Sequence, residues 1–298
     1  MDTTIKKTTR DGFGDGLLHF GELNKNVVAL SADLTESTRA HLFAEKYSGR
    51  FFNVGVAEQN LMGIAAGLAL GGKIPFATSF AVFNPGRNWD QLRVSVCYAN
   101  QNVKIIGSHS GFSNAPDGAT HEALEDIAIT RVLPNLIVLS PADYNDGFIC
   151  VKKALEITGP VYIRTSKHKI PLLTSYKNLK NIDTKFLDEK ITKGKDVTIL
   201  VTGSICYEAI KAVELLREQG VNGELIKITT IKPLPENLIL KSVIKTKAVV
   251  TIEEHQKTGG FGSAVLELLS ENNILVKSKI TETISFLDEN GDCDSKEE

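Results

Sequence analysis

Cysteine is sparse and unclustered. Four in 298 residues, Cys97, Cys150, Cys206 and Cys293, stand far apart with no Cys-x-x-Cys pair, which speaks against a zinc site or a disulfide framework. They read as ordinary buried or surface thiols. No run reaches the roughly 18 apolar residues of a membrane span, and Met1-Asp2-Thr3-Thr4-Ile5-Lys6-Lys7 lacks the apolar stretch of a secretory leader. A cytoplasmic protein is expected. Nor does charge of one sign dominate: 34 basic and 36 acidic residues, mixed along the chain, leave a formal net charge of -2. Nothing therefore marks a nucleic-acid or anionic-membrane partner. What is present is a 42% hydrophobic composition, enough for a large core, and the length favours two domains over one.

Short β-branched runs alternate with helical periodicity. Val27–Leu30, Val103–Ile106 and Leu136–Leu139 read as buried strands, and the Gly/Ala-rich segment from Glu58 to Leu70 lies between the first two. That rhythm predicts an α/β fold, a parallel sheet with helices on both faces. From Pro171 to Lys195 the composition turns to Lys, Asp, Asn and Ser, which reads as a linker. The rhythm then restarts with strands at 197–201, 224–228 and 248–252 and a helix at 207–219 closed by Gly220. The expected division is a domain over 1–170, a linker over 171–195 and a smaller doubly wound domain over 196–286. The acidic, polar tail 287–298 is expected to be disordered.

Gly55-Val56-Ala57-Glu58-Gln59-Asn60 follows the strand-like Phe51–Val54 and opens a helix of small residues. Glu58 then stands near the C-terminal end of a parallel strand, where open α/β sheets bind ligands; it also suits a helix start simply by complementing the helix dipole. Phe80 and Phe83 could equally be a core pair on one helical face. In Ser108–Phe112 and Asp117–Glu122, His109 and His121 bracket a Gly/Pro-containing loop after a strand. Each feature alone leaves both readings open.

Together, the blocks 31–37, 55–60, 78–83 and 107–135, in that order, resemble the pyrimidine-binding domain of the transketolase family, and the likeness extends from about Asp11 through nearly the whole chain. The resemblance implies thiamine diphosphate as cofactor, with Glu58 the buried acid at the aminopyrimidine N1′ that promotes loss of the thiazolium C2 proton. Asp33 and Val56 fall at cofactor-binding positions, and Phe80 and Phe83 at the aromatic wall that packs on the pyrimidine. Gly86 stands where well-known members carry a further aromatic residue. His109 corresponds to the residue that meets the donor's carbonyl and reacting hydroxyls, where an imidazole can exchange protons near neutrality. Asp117 corresponds to the carboxylate that binds the α-hydroxyl of sugar phosphates. His121 falls at a variable substrate position and Ser37 at a phosphate ligand. Lys167 replaces the family's phosphate-binding arginine, keeping the charge but not the bidentate fork.

Full-length transketolases hold Mg²⁺ and the cofactor's diphosphate through a Gly-Asp-Gly motif in an N-terminal domain. Asp11–Gly16 imitates that motif but reads as glycine turns at the start of a helix, so no metal ligand is placed in this chain. The resemblance thus implies the C-terminal half of a split transketolase that acts on sugar phosphates with an N-terminal partner subunit, expected as α2β2, the partner holding the divalent ion. The alternatives are half of a 1-deoxyxylulose-5-phosphate synthase, a 2-oxo-acid dehydrogenase β chain, and a non-catalytic subunit. Glu253–Ser263, with glycines before a helix, could cradle a phosphate or serve as plain helix-start chemistry.

Overall fold

The computed structural model describes residues 2–173, 179–181 and 183–282. Its strands are β1 (Asp2–Lys7), β2 (Val27–Ser31), β3 (Phe51–Asn53), β4 (Ile74–Phe80), β5 (Lys104–Ser108), β6 (Ile137–Leu139), β7 (Val161–Arg164), β8 (Ile170–Leu172), β9 (Glu189–Lys190), β10 (Val197–Val201), β11 (Gly223–Lys227), β12 (Thr230–Lys232), β13 (Ala248–Glu253) and β14 (Lys277–Glu282). Its helices are α1 (Thr9–Leu23), α2 (His41–Lys46), α3 (Glu58–Leu70), α4 (Trp89–Gln91), α5 (Asp126–Arg131), α6 (Tyr144–Glu156), α7 (Cys206–Glu218), α8 (Glu236–Thr246) and α9 (Phe261–Glu271).

Seven strands form the larger sheet in the order β12-β6-β7-β5-β4-β2-β3, parallel throughout except where β12 meets β6. Five form the second, β14-β13-β10-β11-β9, parallel except at β9. A separate antiparallel ribbon pairs β1 with β8. The α/β class follows from the central strands: β2 and β5 are buried along their whole length, and such strands read as unbroken apolar runs because both faces are covered. The antiparallel edges are departures from the expected all-parallel pattern. They come from segments of two and three residues, too short for any alternation to register.

The segment 171–195 contains the end of β8, two 3-10 turns, Leu179–Asn181 and Thr184–Leu187, and β9. Thr184 Oγ1 donates to Glu156 Oε2 at 2.6 Å, and Asp188 Oδ1 accepts the Thr229 and Thr230 amides at 2.7 and 2.8 Å. Residues 174–178 and 182, and the tail 287–298 with Cys293, lie outside the described residues. The other three cysteines are buried and free.

Asp11–Gly16, expected as turns, lies inside α1. Thr8 and Asp11 form a capping box, the Asp11 amide donating to Thr8 Oγ1 at 3.0 Å. The glycines serve packing instead of turning: a Cβ on Gly12 would stand 2.0 Å from the Tyr144 carbonyl oxygen, so its absence lets α1 lie directly on α6. One buried hydrogen bond and one buried ion pair join the halves. Arg164 donates from Nε to Asp126 at 2.8 and 3.1 Å and from Nη2 to the Glu254 carbonyl at 2.6 Å. Lys227 Nζ, on β11, lies 2.7 Å from both carboxylate oxygens of Asp146 on α6.

Candidate active site

The candidate residues gather at the C-terminal ends of the parallel strands of the larger sheet. β2 and β3 end side by side, Ser31 opposite Asn53, and the chains beyond are tied: Asn53 Nδ2 donates to Asp33 Oδ1 at 3.0 Å while its Oδ1 accepts the Asp33 and Gly55 amides, each at 3.1 Å. Gly55, at φ +73°, then turns the chain into α3. Glu58 becomes the first residue of that helix and is 1% exposed. Asp33 and Val56 stay on the rim, Val56 at 71% exposure.

Phe80 closes β4, and Phe83 follows in the turn beyond, not on a helix. Their rings lie 6.3 Å apart at an interplanar angle of 14°. The Arg87 guanidinium sits 4.4 Å over the Phe83 ring and donates from Nη1 to Glu58 Oε2 at 2.8 Å. A flat, N–H-bearing group thus rests on an aromatic face with its edge against a buried carboxylate. That is the arrangement an aminopyrimidine requires, so the residues fit the ring end of thiamine diphosphate. Asn88 Nδ2 donates to the Glu58 carbonyl at 3.1 Å and to Asn84 Oδ1 at 2.8 Å, which fixes the start of α3 against the turn after Phe83.

The other end of the site is cationic. His109, 3% exposed, lies 3.9 Å from the Phe80 ring centroid in the left-handed region at φ +59°, a strained conformation for a residue with a side chain. Arg10 Nη1 stands 3.1 Å from its Nε2, and Ser108 Oγ 2.9 Å from its Nδ1. Burial first, then the charges of Arg10, Lys167 and Arg39, push the His109 imidazole down to about 3. It is neutral at pH 7. Since arginine only donates, Nε2 is the acceptor and Nδ1 carries the proton. Arg10 also donates to the Ser37 carbonyl at 2.8 Å, leaving Nε buried without a hydrogen-bond partner among the described residues. Lys167 Nζ donates to Asn114 Oδ1 at 3.0 Å. Arg39 is answered by Asp11 at 2.7 Å. His121 presents an edge to Phe83 at 5.4 Å, while Asp117 stands on the exposed 3-10 turn Ala115–Asp117.

Arg87, Arg10 and Asn114 were not singled out from sequence. Arg87 lies four residues beyond Phe83, outside the block that carries the family likeness, and Arg10 lies just before the region where that likeness becomes clear. In the second domain the glycine stretch settles as helix-start chemistry: Glu253 accepts the Phe261 and Gly262 amides at 2.6 and 2.8 Å, so a side chain already fills the place of an anion at the start of α9.

Sequence comparison agrees with this geometry. The model of the transketolase pyrimidine-binding domain matches residues 5–171, and that of the transketolase C-terminal domain matches residues 189–291. The chain belongs to the transketolase family. It is 41% identical over 271 residues to a protein of Methanocaldococcus jannaschii described as a transketolase C-terminal section, covering 91% of this chain and 84% of that one. A 6-deoxy-6-sulfo-D-fructose transketolase subunit from a Clostridium species is 40% identical, over 88% of this chain and 81% of the relative. Among solved structures, a split-gene transketolase described as an inactive β4 tetramer superposes with a TM-score of 0.84 at 42% identity, over 93% of this chain and 88% of that one. This transketolase chain therefore matches relatives that are themselves C-terminal sections or subunits.

Proposed function

We propose that this chain is the C-terminal subunit of a two-chain transketolase that moves a two-carbon ketol unit from a ketose phosphate to an aldose phosphate, working in the cytoplasm on pentose phosphates and their kin. The observation that carries the proposal is the Arg87 guanidinium held between the Phe83 face and the Glu58 carboxylate, a protein group filling the outline of the cofactor's ring. When bound, thiamine diphosphate supplies a thiazolium carbon that adds to the donor's carbonyl.

This chain's residues act around it. Phe80 and Phe83 hold a flat ring and exclude water from one face. Glu58 meets the ring nitrogen and holds the proton there. His109, neutral, accepts a hydrogen bond at Nε2, so a substrate hydroxyl can take the place of the Arg10 N–H. His121 lies beside the same wall, Asp117 takes the α-hydroxyl, and Asp33 and Val56 border the cofactor. Arg10, Lys167 and Ser37 face the substrate's anionic end. The Clostridium relative is named for a sulfonated sugar, and a cationic end suits a terminal sulfonate as well as a phosphate.

The divalent ion and the cofactor's diphosphate fall to the N-terminal partner, in an α2β2 assembly. The division into 1–170, 171–195 and 196–286 is part of the same reading. The related tetramer of β chains is described as inactive, which supports a requirement for the partner. The test is two-carbon transfer from xylulose 5-phosphate with thiamine diphosphate and Mg²⁺, before and after adding the N-terminal subunit. Transfer only by the mixture is expected, and turnover by the single chain would overturn the two-chain reading.

A further inference from the structure

Lys167 offers a charge without a fork, and its ammonium hydrogen-bonds an uncharged neighbour. That neighbour, Asn114, is fully buried. Because the Lys167 ammonium only donates, the Asn114 atom it meets at 3.0 Å must be the carbonyl oxygen, which fixes the amide's orientation. The two N–H bonds of Asn114 Nδ2 are then not engaged by Lys167. They are buried, and Nδ2 has no hydrogen-bond partner among the described residues. Buried donors are seldom left unpaired in a folded protein, and one that is marks a place where a ligand can complete the network.

The loop around Asn114 is built, not loose. Ser113 Oγ donates to the Ser110 carbonyl at 2.8 Å, the Ala115 amide to the Phe112 carbonyl at 3.1 Å and the Asp117 amide to the Asn114 carbonyl at 3.0 Å. Lys167 follows Ser166, whose amide donates to Thr9 Oγ1 at 2.7 Å and whose carbonyl accepts the Arg10 amide at 3.4 Å. Lys167 and Arg10 therefore leave neighbouring stretches of backbone, and both bear on His109. Arg10 Nε is likewise buried without a hydrogen-bond partner among the described residues.

We propose that Asn114 and Lys167 form a composite two-pronged donor for the terminal tetrahedral oxyanion of the substrate, the amide N–H supplying the second prong that a lysine lacks. Asn114 is thus a specificity-determining residue. The inference rests on the reading of this site as one for sugar phosphates or their sulfonated equivalents.

The assembled enzyme tests it, with xylulose 5-phosphate and the unphosphorylated ketose erythrulose as donors. Asn114→Leu keeps the branched outline and the number of heavy atoms and removes both polar atoms. It should raise KM for the phosphorylated ketose about 10-fold or more, the scale of one hydrogen bond to a charged group, with a much smaller change for erythrulose. Lys167→Arg added to Asn114→Leu should restore the phosphorylated substrate, because a guanidinium carries both prongs itself. Independently of turnover, methyl phosphate or methanesulfonate titrated into the chain should shift the Asn114 side-chain amide resonances, and the tighter of the two identifies the oxyanion. Equal KM losses on both ketoses, no loss on either, failure of the arginine rescue, or resonances unmoved by both anions would each overturn the composite donor. If Lys167→Ala also leaves the preference for phosphorylated substrate unchanged, the reading of the whole anionic end fails. If Lys167→Ala weakens that preference and Asn114→Leu does not, only the role of Asn114 falls.

Discussion

Arg87 reaches Glu58 from the outside: its side chain is 48% exposed, whereas the carboxylate it meets at 2.8 Å is 1% exposed. The charge is therefore guarded by a residue that can withdraw into water at little cost. Glu58→Gln should keep the fold and cut two-carbon transfer by about 10² to 10⁴, the usual loss on removing a positioned acid/base group. Hydrogen–deuterium exchange at C2 of the bound cofactor, in the assembled enzyme, checks it. An unchanged rate would remove Glu58 from the proton path.

Arg87→Met should act with the opposite sign on cofactor response. Without the guanidinium the buried carboxylate has lost its counter-charge, so the assembled enzyme should melt lower in the absence of cofactor and gain more from its addition. Thermal unfolding with and without thiamine diphosphate and Mg²⁺ measures both. An equal gain in variant and parent would mean that Arg87 does not occupy the ring's place.

The pH dependence of stability should carry the mark of His109. Its value in the folded chain is pushed to about 3, below the ordinary imidazole value of 6.5, so between these values the unfolded chain binds a proton that the folded chain refuses. Stability from this group is full above pH 6.5 and falls on acidification, by about 1.4 kcal/mol per pH unit. Between pH 7 and pH 5 the parent should lose about 2 kcal/mol more than His109→Asn. Urea denaturation at the two pH values decides, and parallel losses would place the imidazole in a more polar setting.

Arg164 and Asp126 are both buried, and Tyr162 Oη donates to the same carboxylate at 2.8 Å. Arg164→Leu strands that carboxylate and should cost about 3 to 5 kcal/mol. Combined with Asp126→Leu the cost should shrink, because no charge is left without a partner. Chemical denaturation of the single and double variants measures the difference, and strict additivity would contradict a coupled pair.

The alternation of runs such as Val27–Leu30 with small-residue helices made the α/β class legible, because burial on both faces leaves an unbroken apolar signature. Motif order placed Glu58, Phe80 and Phe83 together. What escaped were features made by distance in sequence: Arg10 meets His109 across 99 positions and Lys167 meets Asn114 across 53, and neither pair has a local pattern. The glycines at 12 and 16 were misread for a related reason, since helix α6, which excludes their side chains, lies more than 120 residues away, and Gly14 faces Arg39 and Leu42. The neutrality of His109 likewise comes first from burial and then from three cations that no spacing announces.

β12 belongs by position to the second half of the chain and by hydrogen bonding to the first sheet, with Thr230 opposite Leu139. A cut anywhere from 183 to 195 would leave the N-terminal piece with β6, two of its three residues buried in the intact molecule, as a bare edge ready to pair with copies of itself. The two pieces would stay clasped if nicked after folding, yet each made alone would lack what the other supplies. A gene broken at this seam would therefore yield products obliged to meet during folding, not after it.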